Sequence, residues 1–213
     1  ILSYIKLMMN KQKLKMTQTF EQLWNNSFPK KIPIPHLLPH YFPEQWFRIH
    51  SLPDSKRYAE TKEEYELLLK RHNQIITDCF HPQTSIFIVT GNYLYGNEND
   101  SKYDMRKTLP YSFITSPILN LHKSDPIIFD DGEDNDLNYL PLHFKTTWEP
   151  NFHDDLLLKI ANDEVKAFLI SFEKKIIVSP YDGGIDFIIQ DESFKQQLKE
   201  KYSTWLSPRE DGF

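Results

Sequence analysis

Two stretches concentrate side chains able to hold or move charge. In RIHSLPDSKRY, residues 48–58, Arg48, His50, Lys56 and Arg57 are interleaved with Ser51 and Ser55 around a proline turn. Forked guanidinium groups beside hydroxyl donors are suited to gripping a carboxylate or phosphate. The same cations have Asp54, Glu60, Glu63 and Glu64 close by in sequence, and surface charges are commonly neutralised or solvated locally. In SPYDGGIDF, residues 179–187, the dipeptide Asp182-Gly183 suits a type I′ hairpin turn. Such a turn pairs Tyr181 with Gly184, Pro180 with Ile185, Ser179 with Asp186 and Val178 with Phe187. Pleating then gathers Ser179, Tyr181 and Asp186 on one face near the tip. Two hydroxyls and a carboxylate on one patch fit a polar ligand or partner; a solvated hairpin end fits the same residues. The candidate ligand or partner patch is therefore Arg48, His50, Lys56, Arg57, Ser179, Tyr181, Asp182 and Asp186, with no catalytic residue assigned.

Other chemistries find no constellation. His36 and His40 have HxxxH spacing, but Pro35 and Pro39 are expected to prevent the helix that would align the imidazoles. Asp134, Asp136 and Asn138 mimic the start of a calcium loop, yet Tyr139 stands where Gly is needed and Lys145 where the bidentate Glu belongs. Cys79 and His81 form half a zinc pair without a second half. No metal and no cofactor is expected. G-x-S-x-G, G-x-x-x-x-G-K-[ST] and G-x-G-x-x-G do not occur, and six glycines leave little material for phosphate-cradling loops. His72 reads as a core residue on a helix stripe, while His143 and His153 flank a strand-to-helix connection and stay open.

These residues need a scaffold, and the chain has the material for one. At 213 residues, 39% hydrophobic and 14% aromatic, it can bury roughly 70% of its unfolded surface without a disulfide or metal staple. Lys and Arg number 25 against 30 Asp and Glu, a net charge of −5, which disfavours nonspecific nucleic-acid binding. The single cysteine, Cys79, is expected to be a buried thiol of a reducing compartment, giving a cytoplasmic expectation. ILSYIKLMM at the start lacks the marks of a signal peptide, no stretch approaches a membrane span, and residues 1–15 are expected to be a tail outside a single domain at 16–213.

The pattern predicts α+β architecture: a mainly antiparallel sheet with about three packed amphipathic helices. Phe20, Leu23 and Trp24 suggest a short helix within 17–25. Six prolines from Pro29 to Pro53 imply an extended segment wrapped over the body, without helix. WFRIH at 46–50 alternates as a strand, with Phe47 and Ile49 opposite Trp46, Arg48 and His50. Thr61 and Glu64 have capping-box spacing at the head of a helix over 61–79, striped by Tyr65, Leu68, Leu69, His72, Ile76 and Cys79. Residues 85–94 and 142–148 read as strands and 151–162 as a helix with face Phe152, Leu156, Leu157 and Ile160. Residues 96–107 and 130–138 are polar enough for loops. A three-stranded meander follows over 165–190, then a helix over 191–206 capped by Asp191.

HSLPDSKRYAETKEEYELLLKRHN (50–73), SPYDGGIDFII (179–189) and KYSTWLSPREDGF (201–213) together resemble a bacterial family of hypothetical proteins. That resemblance covers most of 46–213 and implies a cytosolic bacterial protein, with no catalytic residue carried over. Two function classes follow. The first is a stoichiometric binding or regulatory protein, of immunity type for example, anchored by aromatics such as Tyr93, Tyr95 and Tyr181. The second is a small enzyme on a polar or anionic metabolite, with Arg48, Lys56 and Arg57 holding the anion and Asp186 or His50 moving a proton. A protein partner or a small anionic ligand is expected accordingly; the oligomeric state is left open.

Overall fold

The computed structural model describes residues 18–95, 104–129, 136–207, 209 and 212. The expected tail at 1–15 and much of the two expected loops, at 96–103 and 130–135, lie outside them. Strands β1 (Trp46–His50), β2 (Ser85–Tyr95), β3 (Ile114–Thr115), β4 (Leu119–Asn120), β5 (Leu137–Thr147), β6 (Phe168–Ser171), β7 (Ile176–Tyr181) and β8 (Gly184–Ile189) form one sheet. Its order is β1-β8-β7-β6-β2-β5-β3, and β4 also pairs with β5. Every pairing is antiparallel. The helices are α1 (Phe20–Ser27), α2 (Leu38–Tyr41), α3 (Lys62–Phe80), α4 (Met105–Thr108), α5 (Leu121–Ser124), α6 (Asp154–Ala161) and α7 (Glu192–Lys201). The α+β class, the antiparallel sheet and the β6-β7-β8 meander follow the sequence pattern.

One face of the sheet carries α3, α6 and α7. Phe47 and Ile49 of β1, Val178 of β7 and Phe187 of β8 meet Ile75, Ile76, Cys79 and Phe80 of α3, Leu157 of α6 and Leu198 of α7. The Thr61 hydroxyl accepts from the Glu64 N–H and the Glu64 side chain accepts from the Thr61 N–H, closing the expected box at the start of α3. Burial of Leu68, Ile75 and Ile76 contributes about 1.5–3 kcal/mol each.

The opposite face is covered by α1 and the proline-rich strap. Phe20, Trp24 and Phe28 pack on Phe87, Val89, Phe168, Ile177 and Ile188, and Trp24 Nε1 donates to the Lys31 carbonyl at 2.6 Å. The strap departs from expectation: Pro35–Leu37 is a 3₁₀ turn and α2 follows it, each with a proline in its first two positions. There a missing N–H has no intrahelical partner to lose and a fixed φ is already helical. Both layers matter, because a sheet buried on both faces leaves only its ends and edges open to ligands.

Three further boundaries differ. Helix α6 starts at Asp154 rather than at 151, because Asn151 has φ 64° and Phe152 turns outward, 72% exposed. The one-turn α4 occupies part of the stretch read as a loop, capped by the Asp104 carboxylate. The final helix ends at Lys201 and continues as a 3₁₀ turn at Ser203–Trp205. Among the described residues no helix is long and apolar enough to cross a membrane.

Candidate functional site

The hairpin register is the one the sequence requires: Ser179 pairs with Asp186, Pro180 with Ile185 and Tyr181 with Gly184. The turn itself is a correction. Neither Asp182 nor Gly183 has a positive φ, so it is not type I′. The loop after β1 clamps it instead: the Ser51 N–H donates to the Gly183 carbonyl at 3.1 Å. In addition, Arg57 Nε and the Tyr58 hydroxyl donate to Asp182 Oδ2 at 2.6 and 2.7 Å. Tertiary hydrogen bonds thus outweigh the local match between turn twist and strand twist. Gly184 is needed for a different reason, since a Cβ there would lie 2.0 Å from the Ile49 carbonyl oxygen of β1.

Strand β1 lies antiparallel beside β8, with Arg48 opposite Asp186 and His50 opposite Gly184. Asp186 accepts from Arg48 Nε at 2.7 Å, from Arg48 Nη2 at 2.9 Å and from Trp46 Nε1 at 2.8 Å. The guanidinium lies 4.4 Å from the centre of the Tyr181 ring and 5.5 Å from that of Trp46, adding cation–π attraction to the forked ion pair. Burial opposes the charge of Arg48, yet the Asp186 carboxylate holds its pKa above the usual value. Burial likewise works against the Asp182 carboxylate, but hydrogen bonds from Tyr58 and Arg57 win and its pKa is lowered. Desolvation pushes the Tyr181 hydroxyl up to about 12.

The structure therefore brings Arg48, Arg57, Ser179, Tyr181, Asp182 and Asp186 into one corner and leaves two of the expected residues aside. Lys56 turns away to Glu60 and Glu64, at 2.9 and 2.8 Å. His50 follows Arg48 on the strand, with Nε2 buried and without a hydrogen-bond partner among the described residues and its pKa lowered by burial and by Arg48.

A cleft of about 660 Å³ opens on this corner, walled by Arg48, Ser179, Tyr181, Asp182 and Asp186 on the sheet side and by Pro35, His36, Pro39, His40 and Pro43 of the strap. A second cleft of about 510 Å³ shares Pro35, His36 and Lys166 with it and runs on past Tyr93, Tyr95 and Tyr139. Sequence reasoning misses the strap's contribution, Lys166 and the Trp46 donor. Alternation in WFRIH already puts Trp46 on the Arg48 face; the strap wall is a long-range contact with no local signal. The two prolines expected to separate His36 from His40 instead start the short helices that put both beside the cleft. Among the described residues no group of three or more His, Cys, Asp or Glu side chains is placed to hold a metal ion.

Residues 34–210 match the model of a family described as Domain of unknown function (DUF3885). The chain belongs to that family. No curated protein and no solved structure matches it. All the residues that wall the two joined clefts fall inside the DUF3885 stretch, whereas α1 and the first part of the strap precede it.

Proposed function

We propose that this DUF3885 protein is a stoichiometric binding module that takes an extended segment of a partner protein into the joined clefts. One observation carries the reading: of the aromatics singled out as interface anchors, Tyr93 and Tyr95 line one cleft and Tyr181 the other, and the two clefts share the wall residues Pro35, His36 and Lys166. Tyrosine supplies large contact area at a low cost in side-chain entropy and dominates many recognition surfaces. Adjoining clefts with Pro35, Pro39 and Pro43 on one wall and the polar groups of the hairpin on another suit a chain segment better than a compact metabolite. The single cysteine, buried and unpaired, is in keeping with a reducing, cytosolic setting, and within the binding reading the role is regulatory, of immunity type for example.

The competing enzyme reading asks Arg48, Lys56 and Arg57 to hold an anion and Asp186 or His50 to move a proton. The two motifs do converge, but Arg48 and Arg57 already hold Asp186 and Asp182, and Lys56 is engaged elsewhere. Matched charges in the corner support recognition over proton transfer.

Photo-crosslinking tests this. A benzophenone side chain in place of Tyr95 or Tyr181, in cells making the protein, should give a discrete protein adduct. The same group at Phe152, exposed and outside the groove, should not. Adducts identical at all three positions, or none at the groove positions, would refute the reading.

A further inference from the structure

A second cavity, of about 480 Å³, lies between α1, the start of the strap and the β4–β5 edge. It shares no lining residue with the groove; its α1 and strap wall precedes the matched family stretch, while Ser116, Leu119, Lys123 and Pro141 fall inside it. Its walls are largely apolar: Trp24, Ile32, Leu119 and Pro141 among them. On one wall the Ser116 hydroxyl donates to Glu21 Oε1 at 2.5 Å and lies 3.3 Å from His143 Nδ1. These three groups satisfy one another, with Ser116 and His143 buried. Lys30, Lys31 and Lys123 also line the cavity. Lys31 sits over the Tyr41 ring at 4.4 Å. Lys30 and Lys123 are exposed, and no carboxylate of the described residues pairs with either.

Three cations against one hydrogen-bonded carboxylate make a local positive basin in a chain whose net charge is −5. The volume falls in the range of small-molecule sites, which pair apolar walls with a few placed polar groups. We propose that this cavity binds one small amphipathic organic anion. Its apolar body lies against Trp24, Leu119 and Pro141, and its anionic head stays at the mouth between Lys30 and Lys123. The orientation follows from the charges: Glu21, held on the Ser116 wall, repels an anion, while the exposed Lys30 and Lys123 attract one. A headgroup held by ammonium point charges rather than by a guanidinium fork can be carboxylate or phosphate monoester.

The test uses the full chain and the fluorescent probe 8-anilinonaphthalene-1-sulfonate. One site should be titrated, and decanoate or decyl phosphate should displace the probe, the stronger competitor naming the headgroup. Decyltrimethylammonium and inorganic phosphate should not displace it. The double variant Lys30→Gln/Lys123→Gln should bind about 100-fold more weakly, at about tenfold for each ammonium removed. A diazirine analogue of decanoate should label peptides containing Trp24 or Leu119, a readout independent of whether the variant folds. Displacement by the cationic amphiphile or by phosphate as readily as by decanoate would overturn the proposal. So would binding unchanged in the double variant, or label confined to the groove at Tyr93 and Tyr181.

Discussion

Replacing Asp186 by alanine tests whether the corner at the hairpin tip is held by its charge pair. The substitution removes the acceptor of three hydrogen bonds and leaves the Arg48 guanidinium with the Tyr181 and Trp46 rings but without its bound carboxylate. The side chains of Arg48 and Asp186 are 16% and 8% exposed, so water replaces the missing partner only in part. Breaking a buried pair from one side costs about 3–5 kcal/mol. Because Arg48 retains some solvent and two aromatic faces, the lower end applies, about 3 kcal/mol. For a chain of this length that corresponds to a fall of roughly 6–12 °C in Tm. Urea unfolding followed by tryptophan fluorescence reads the change as a shift of midpoint at constant slope. The double variant Arg48→Met/Asp186→Ala, which removes both charges, should recover a large part of the stability when compared with Arg48→Met and Asp186→Ala alone. Asp186→Ala within about 0.5 kcal/mol of the parent, the range of an ordinary surface change, would refute the reasoning, as would single-variant effects that simply add in the double.

His72 gives a pH signature. It is fully buried on α3, with Nε2 2.7 Å from the Ser51 hydroxyl, and burial pushes its pKa from 6.5 down to about 3. Below pH 6.5 the unfolded chain gains a proton that the folded chain refuses. This group's contribution therefore falls as pH drops from 6.5 toward 3, by about 2 kcal/mol between pH 7 and pH 5. His72→Gln should flatten the stability–pH profile by that amount, and an unchanged slope would count against a buried neutral imidazole. Gly184→Ala should destabilise by about 3 kcal/mol, as overpacking against a backbone atom does, because the Ile49 carbonyl cannot yield without moving β1 off β8. A near-neutral result in thermal melting would show that β1 is free to shift.

The parts of the fold legible in the sequence are those governed by local patterns. The capping box and apolar stripe of α3, the alternation in β1 and the register of β7–β8 each depend on residues a few positions apart. Expectation fails where distant groups decide. Asp182-Gly183 has the composition of a primed turn, but Ser51, Arg57 and Tyr58, more than 120 residues away in sequence, set its backbone. The prolines of the strap signal breaks in helix and, at first positions, also signal helix starts; composition does not separate the two. Two-residue strands such as β3 and β4 carry no periodicity at all. The same holds for the site: Ser179, Tyr181 and Asp186 share a face by pleating, which is local, whereas the cleft they border exists only because the strap crosses over them.

The position of β1 also has a consequence for synthesis. Its partner is β8, so Trp46 meets Ile188 and Arg48 meets Asp186, separations of some 140 residues. Pairings that distant close late and slowly compared with hairpins. As the chain leaves the ribosome, β1 emerges with Phe47 and Ile49 unpaired, and it must wait until β8, some 140 residues further on, has followed. The β6-β7-β8 meander, whose contacts are nearest neighbours, can assemble as a unit and then serve as the template onto which β1 is added. The Arg48–Asp186 corner is thus completed only when β1 joins β8, and a nascent or truncated chain that ends before β8 lacks it.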